Sequence, residues 1–182
     1  MSKFNVPTRE EVSKTNQTIF DNLEKGVGFV PNLFATYAYS ENALANYLAL
    51  SNAKTSLNAK QKEVVNLAVS QVNECSYCLA AHTAIGKMNG FSDSEILELR
   101  AGKASFDNKL NALASFAKNV TENRGAADSS VVESFLNAGW TKENLVDTIV
   151  LVGDKTISNY LHKTTDVPVD FPEAAPLQAI IA

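Results

Sequence analysis

Apolar residues recur at helical spacing along most of the chain, and no stretch alternates at the strand period. Thr8 and Glu11 read as a capping box, and Ile19, Phe20 and Leu23 follow as one helical face that stops before Gly26 and Gly28. Pro31 suits a first helical position and opens a short helix. Ser40 reads as the next cap, with Leu44, Tyr47 and Leu48 behind it. Asn58 with Gln61 forms another box, ahead of Val64, Leu67, Ala68 and Val72. Val65 and Val69 widen that face, so this helix is expected to be covered on most sides. Asn73-Glu74 breaks the pattern. The next helix runs to about Met88 and ends at Asn89-Gly90.

The second half repeats this style. Ser92 and Glu95 box a helix with Ile96, Leu97 and Leu99, closed by Gly102. Leu110, Leu113, Ala114, Ala117 and Val120 stripe a helix from about Asp107 to Asn123. Asp128 caps a shorter one carrying Val131, Val132, Phe135 and Leu136. Thr141 caps a long helix whose packing face reads as Val146, Ile149, Val150, Gly153, Ile157, Tyr160 and Leu161. Gly153 would let another helix approach closely, at some cost in helix propensity. Trp140 reads as a core plug and His162 as a partner of the helix C-terminal dipole. Beyond Thr165, Pro168, Pro172 and Pro176 predict an extended tail over residues 165–182, whose apolar end Ile180-Ile181-Ala182 suggests docking. Phe29, Phe34, Tyr37, Tyr39 and Tyr47 read first as packing residues, some of which can wall a pocket. The pattern is all-α, within one domain over residues 1–182.

Composition narrows the function classes. The chain has 182 residues, a hydrophobic fraction of 45% and a net charge of −4. That charge, without a Lys/Arg cluster, argues against nucleic acid as a partner. No apolar run reaches membrane-span length, so no membrane partner is expected. The N-terminal residues lack an apolar signal core, and the expected location is cytoplasmic. Two cysteines do not make a disulfide-stapled scaffold; in a cytosolic setting a C-x-x-C pair reads as redox or metal chemistry.

Both cysteines and one of the two histidines fall between Cys75 and His82. On a helix, Cys75 and Cys78 lie one turn apart, close enough for a disulfide, and Cys78 and His82 meet at i, i+4. An imidazole there can take a thiol proton, and the thiolate is the reactive form. The helix dipole favours a Cys75 thiolate, whereas the histidine favours Cys78. Glu63, on the preceding antiparallel helix, has two readings: a dipole partner, or a carboxyl of raised pKa that carries protons. Two further readings compete for the motif. Cys75, Cys78, His82 and Glu63 could complete a zinc tetrahedron, although structural zinc favours knuckles and loops. The thiols could also be inert packing.

The arrangement Glu63, Cys75-Ser76-Tyr77-Cys78, His82 resembles the AhpD-like branch of the carboxymuconolactone decarboxylase family, in its peroxidase-related subgroup. The segments Val30-Pro31-Asn32-Leu33-Phe34, Ala80-Ala81-His82-Thr83, Gly90-Phe91-Ser92-Asp93, Ala112 to Ala117 and Ala138-Gly139-Trp140 share it. The core of the likeness spans residues 58–102. It implies an AhpD-like helical bundle that assembles into homo-oligomers, as trimers or hexamers. It also implies a peroxidase-type oxidoreductase that needs no cofactor or metal. By that likeness Cys78 is oxidised by a small hydroperoxide, Cys75 resolves it to a disulfide, and His82 with Glu63 relays protons. A thiol or disulfide electron donor then reduces the pair. One position departs: the family's best-known pattern has histidine directly before the second cysteine, and here Tyr77 stands there as a secondary site residue. Tyrosine donates a hydrogen bond but is a poor base near neutral pH. The cysteine pair argues against lactone-acid decarboxylation. The alternative function is a redox sensor or oligomeric binding protein that uses the pair as a switch without turnover.

Overall fold

The computed structural model describes residues 4–177, among which nine α-helices and one 3-10 turn form the regular structure and no strand occurs. Thr8 and Glu11 make the expected box, with the Thr8 N–H donating to Glu11 at 2.7 Å. It opens only the 3-10 turn Arg9–Glu11, because the chain extends again at Val12. Helix α1 (Lys14–Val27) starts from a separate cap, Ser13, and ends at Gly28, whose φ of 94° needs a residue without Cβ. Pro31 sits at the cap of α2 (Asn32–Tyr37), one position before the expected one. Asn42 occupies the cap position of α3 (Ala43–Ser51), yet Ser40 still accepts the Ala43 N–H, at 3.3 Å.

Helix α4 (Ala59–Val72) is the centre of the molecule. Its box is closed in both directions, Asn58 N–H to Gln61 and Gln61 N–H to Asn58, each at 2.9 Å. Val64, Val65, Leu67, Ala68 and Val69 are wholly buried, each large side chain contributing roughly 1.5–3 kcal/mol. Around it pack α5 (Ser76–Met88), α6 (Asp93–Arg100), α7 (Asn108–Glu122) and α9 (Lys142–Thr165); α8 (Ser129–Asn137) lies on α7. One apolar cluster joins α4, α6, α7 and α8. Trp140 plugs it as expected, stacked on Phe135 at 5.6 Å with its indole N–H donating to the Lys109 carbonyl at 2.9 Å. A second cluster joins α1, α2 and α3 to Cys75, Tyr77, Cys78 and Val167.

Helix α9 overturns the expected packing face. Val146, Ile149, Val150, Ile157 and Tyr160 are exposed, Tyr160 at 60%. No neighbouring atom lies within 4 Å of a Cβ built on Gly153, so no helix of this chain approaches there. The buried face is mostly polar: Thr148, Asp154, Lys155, Ser158, Asn159, His162 and Thr165, with Val152 among them. It meets a second buried polar stripe on α4, formed by Glu63, Asn66 and Ser70. The seam is hydrogen-bonded, since Asn159 Nδ2 donates to Ser70 at 3.3 Å and Asn73 Nδ2 donates to Asn159 at 2.9 Å. Buried polar groups require such partners, so a polar face goes inward only where another meets it.

His162 lies in the last turn of α9, the position expected of a dipole partner. It is buried, its Nε2 lies 3.1 Å from the Val167 carbonyl, and its ring packs on Tyr77 with centroids 5.2 Å apart. The tail beyond Thr165 is extended as predicted over its described part. Asp170 accepts the Asn32 N–H at 2.6 Å, the Asn32 side chain donates to the Pro168 carbonyl at 3.0 Å, and Arg100 donates to the Ala175 carbonyl at 2.5 Å. The docking expected of Ile180-Ile181-Ala182 falls outside the described residues.

Candidate active site

The turn between α4 and α5 sets the position of the first sulfur. Asn73 ends α4, Glu74 takes a left-handed φ of 52°, and the Cys75 N–H donates back to the Ser70 carbonyl at 3.0 Å. The Glu74 N–H donates to the Gln71 carbonyl at 3.1 Å, completing a Schellman stop with glutamate where glycine is usual. Cys75 is therefore the cap of α5 and lies outside the helix. Its Sγ accepts the Cys78 N–H at 3.3 Å. Both cysteines are reduced and buried.

The two thiols differ sharply. Cys78 is held down at about 6. The main cause is the hydrogen bond from the Cys75 thiol; burial opposes it, and Lys155, His82 and Asn159 add to it. Cys75 is pushed well up, by the hydrogen bond it donates to Cys78, by burial, and by the neighbouring thiolate. The dipole expectation for Cys75 fails because its sulfur already serves as the donor to its neighbour. Cys78 sits one turn inside the helix start and faces the charged side chains.

Glu63 faces the motif from α4 and is 5% exposed. Its carboxylate lies 2.8 Å from His82 Nδ1 and accepts from Asn66 Nδ2 at 2.9 Å. Burial alone would raise its pKa, but His82, Asn66 and Lys155 outweigh burial and leave it below the usual range. The raised pKa expected of a proton-carrying Glu63 is thus reversed: this carboxylate stays ionised and orients the imidazole. With Nδ1 engaged, Nε2 is the histidine nitrogen left for other partners.

Tyr77 points elsewhere. Its hydroxyl accepts the Leu33 N–H at 3.3 Å and faces the Asp170 carboxylate. Burial and then Asp170 raise its pKa. Its ring packs edge-on against Phe171 at 5.6 Å. Tyr77 therefore ties α2 and the tail to the motif helix.

Cys78 and His82 open on a cavity of about 590 Å³. Its wall is mostly apolar and aromatic, with Phe29, Leu33, Phe34, Tyr47, Ile85 and Phe171. Tyr37 instead stacks on Tyr47 at 4.4 Å within the core, and Tyr39 is exposed. Cys75 does not reach the cavity lining. Lys155 and Ser158, from the inverted face of α9, do. Sequence reasoning missed Lys155 and Asn159. Their signal was present: Thr148, Val152, Lys155, Asn159 and His162 are spaced four, three, four and three residues apart, a helical stripe that is mostly polar. Among the described residues no group of three or more His, Cys, Asp or Glu side chains is arranged to hold a metal ion. No described helix is long and apolar enough to cross a membrane.

Comparison with known proteins places the fold. Residues 39–119 match the profile of the carboxymuconolactone decarboxylase family. No curated protein matches the chain. Among solved structures, the chain is similar to an AhpD-core, uncharacterized peroxidase-related protein of Ralstonia eutropha JMP134. The identity is 22% and the TM-score 0.83, over 93% of this chain and 92% of that one. A peroxidase-related protein of Silicibacter sp. TM1040 aligns at 20% identity and TM-score 0.79, over 96% and 92%. The debrominase Bmp8, as a cysteine-to-alanine variant in complex with 2,3,4-tribromopyrrole, aligns at 13% identity and TM-score 0.76, over 100% and 98%. Residues 39–119, which include the motif, thus match the carboxymuconolactone decarboxylase family, and the chain shares the fold of AhpD-core and peroxidase-related proteins over nearly its whole length.

Proposed function

We propose that the protein is a thiol-dependent hydroperoxide reductase. The observation that carries this reading is the unequal pair of sulfurs, a Cys78 thiolate at about 6 with a protonated Cys75 beside it. The Cys78 thiolate attacks the distal oxygen of an organic hydroperoxide. The O–O bond breaks, the sulfur supplies two electrons and becomes sulfenic acid, and the alkoxide takes a proton from the protein side. His82, oriented by Glu63, is the group placed to move that proton. Cys75 then loses its own proton and attacks the Cys78 sulfur, expelling hydroxide and closing the disulfide. An external dithiol reduces the disulfide. The aromatic, largely apolar cavity fits a carbon-bearing hydroperoxide better than a fully polar one.

The exposed apolar stripe of α9 is where a second copy would pack in the homo-oligomer this reading expects. A second substrate class follows from the aromatic wall and the bound tribromopyrrole of the debrominase neighbour. A brominated aromatic ring could pass its bromine to Cys78 and take up a proton, with Cys75 displacing bromide. Turnover is tested with an organic hydroperoxide and excess dithiol, alongside a bromopyrrole arm read as bromide release. Cys78→Ser should abolish turnover in whichever arm is active. Undiminished turnover in that variant would remove Cys78 from the chemistry, and a single oxidation without turnover would mark a switch.

A further inference from the structure

We infer that Lys155, carried by the buried polar face of α9 to the cavity floor, is the positioning counter-ion that keeps the Cys78 sulfur anionic. The inference deepens the thiol-peroxidase reading and rests on it for its consequence in turnover. Its geometry stands on its own. Lys155 is 6% exposed and shares the lining of one cavity with Cys78 and His82. An ammonium in such a place loses its hydration and stays charged only if an anion answers it.

The candidate anions can be sorted. Glu63 is committed, with its oxygens 2.8 Å from His82 and 2.9 Å from Asn66. Asp154, one residue before Lys155, is turned about 100° around the helix and lines a different hollow, beside Leu50, Lys62 and Asp147. No ion pair joins Lys155 to a carboxylate within 4.0 Å among the described residues. The phenols Tyr37 and Tyr47 are both pushed up, burial being the largest cause. Tyr77 is likewise pushed up and engaged with Leu33 and Asp170. Asp154 also acts on Lys155 from the neighbouring position, but Cys78 is the anion that lines the same cavity as the ammonium. Burial lowers the Lys155 pKa, but Tyr47, Asp154, Cys78 and Glu63 together lift it above its ordinary value.

The charge balance distinguishes Lys155 from His82. His82 is held by the Glu63 carboxylate at 2.8 Å, so its charge is answered there. Lys155 has no carboxylate within 4.0 Å among the described residues, and Asp154, one residue away, answers it only at longer range. When Cys78 becomes a sulfenic acid or joins Cys75 in a disulfide, that anion disappears and Lys155 is left facing a neutral sulfur. The lysine therefore favours the reduced pair over the disulfide.

The test titrates Cys78 in the full chain by its alkylation rate with iodoacetamide against pH, with Cys75→Ser as background so that one thiol reports. Lys155→Met should raise the midpoint by about half a pH unit, so that alkylation at pH about 6 falls about twofold. Lys155→Arg should restore most of it. An unchanged midpoint in a folded Lys155→Met protein overturns the inference. If that variant does not fold, the wild-type chain answers by lysine side-chain NMR: the Lys155 signal should titrate at lower pH in the disulfide form than in the reduced form, and coincident titrations overturn it. Neither measurement involves a hydroperoxide, so a protein without peroxidase turnover can still pass, and a peroxidase can still fail.

Discussion

Removing the Cys75 thiol tests the pairing of the two sulfurs most directly. The Cys78 thiolate receives a hydrogen bond from Cys75, and that bond is the largest influence holding it at about 6. Hydrogen bonds to charged groups contribute roughly 1.5–3 kcal/mol, and a thiol is a weak donor, so the low end of that range applies. Since about 1.4 kcal/mol is one pH unit, Cys75→Ala should lift the Cys78 midpoint from about 6 to about 7. Lys155, His82 and Asn159 remain and keep it below the ordinary thiol range. Cys75→Ser keeps both a donor and an acceptor and should stay near the wild-type value. The alanine variant also loses the acceptor for the Cys78 N–H, held at 3.3 Å, which costs about 0.5–1 kcal/mol of stability as a lost cap. The thiolate is followed by its ultraviolet absorbance against pH, and stability by urea denaturation. A midpoint that stays or falls in Cys75→Ala, with the fold intact, would refute the assignment of donor and acceptor.

Other outcomes follow from the same coordinates. The second-order rate of Cys78 oxidation should rise with pH and level off above about 6, because the thiolate is the reactive species and its pKa is depressed; stopped-flow rates across pH check this. Glu63→Ala strands His82 Nδ1 and the Asn66 amide in a buried site, so unfolding in urea should show a loss of about 1–3 kcal/mol together with slower peroxide turnover. Phe135→Ala opens a hole between Phe116 at 4.7 Å and Trp140 at 5.6 Å, and should cost about 3–5 kcal/mol of stability without altering the Cys78 titration. Ile157→Asp, at a position 46% exposed in the chain alone, should lower the mass seen by sedimentation if α9 joins copies; an unchanged mass would place any interface elsewhere.

Local chemistry was enough to determine much of this protein. Capping boxes at Asn58, Ser92 and Thr141 and the glycine stop at Gly28 are satisfied within a few residues, so the helices they bound could be read directly. The spacing that brings Glu63, Cys75, Cys78 and His82 into one neighbourhood was legible for the same reason: Cys75 caps α5, Cys78 and His82 lie one turn apart along it, and Glu63 lies on the helix before it. Tertiary structure decided what periodicity leaves ambiguous. Helix α9 carries an apolar and a polar stripe, both at helical period, and the usual rule sends the apolar one inward. Here the polar stripe of α4 offered a hydrogen-bond partner to Asn159, and Lys155 went inward to line the cavity beside Cys78. Which sulfur keeps its proton likewise depends on tertiary structure, through the hydrogen bond between the two thiols, their burial and the charges near Cys78, and not on their spacing along the chain.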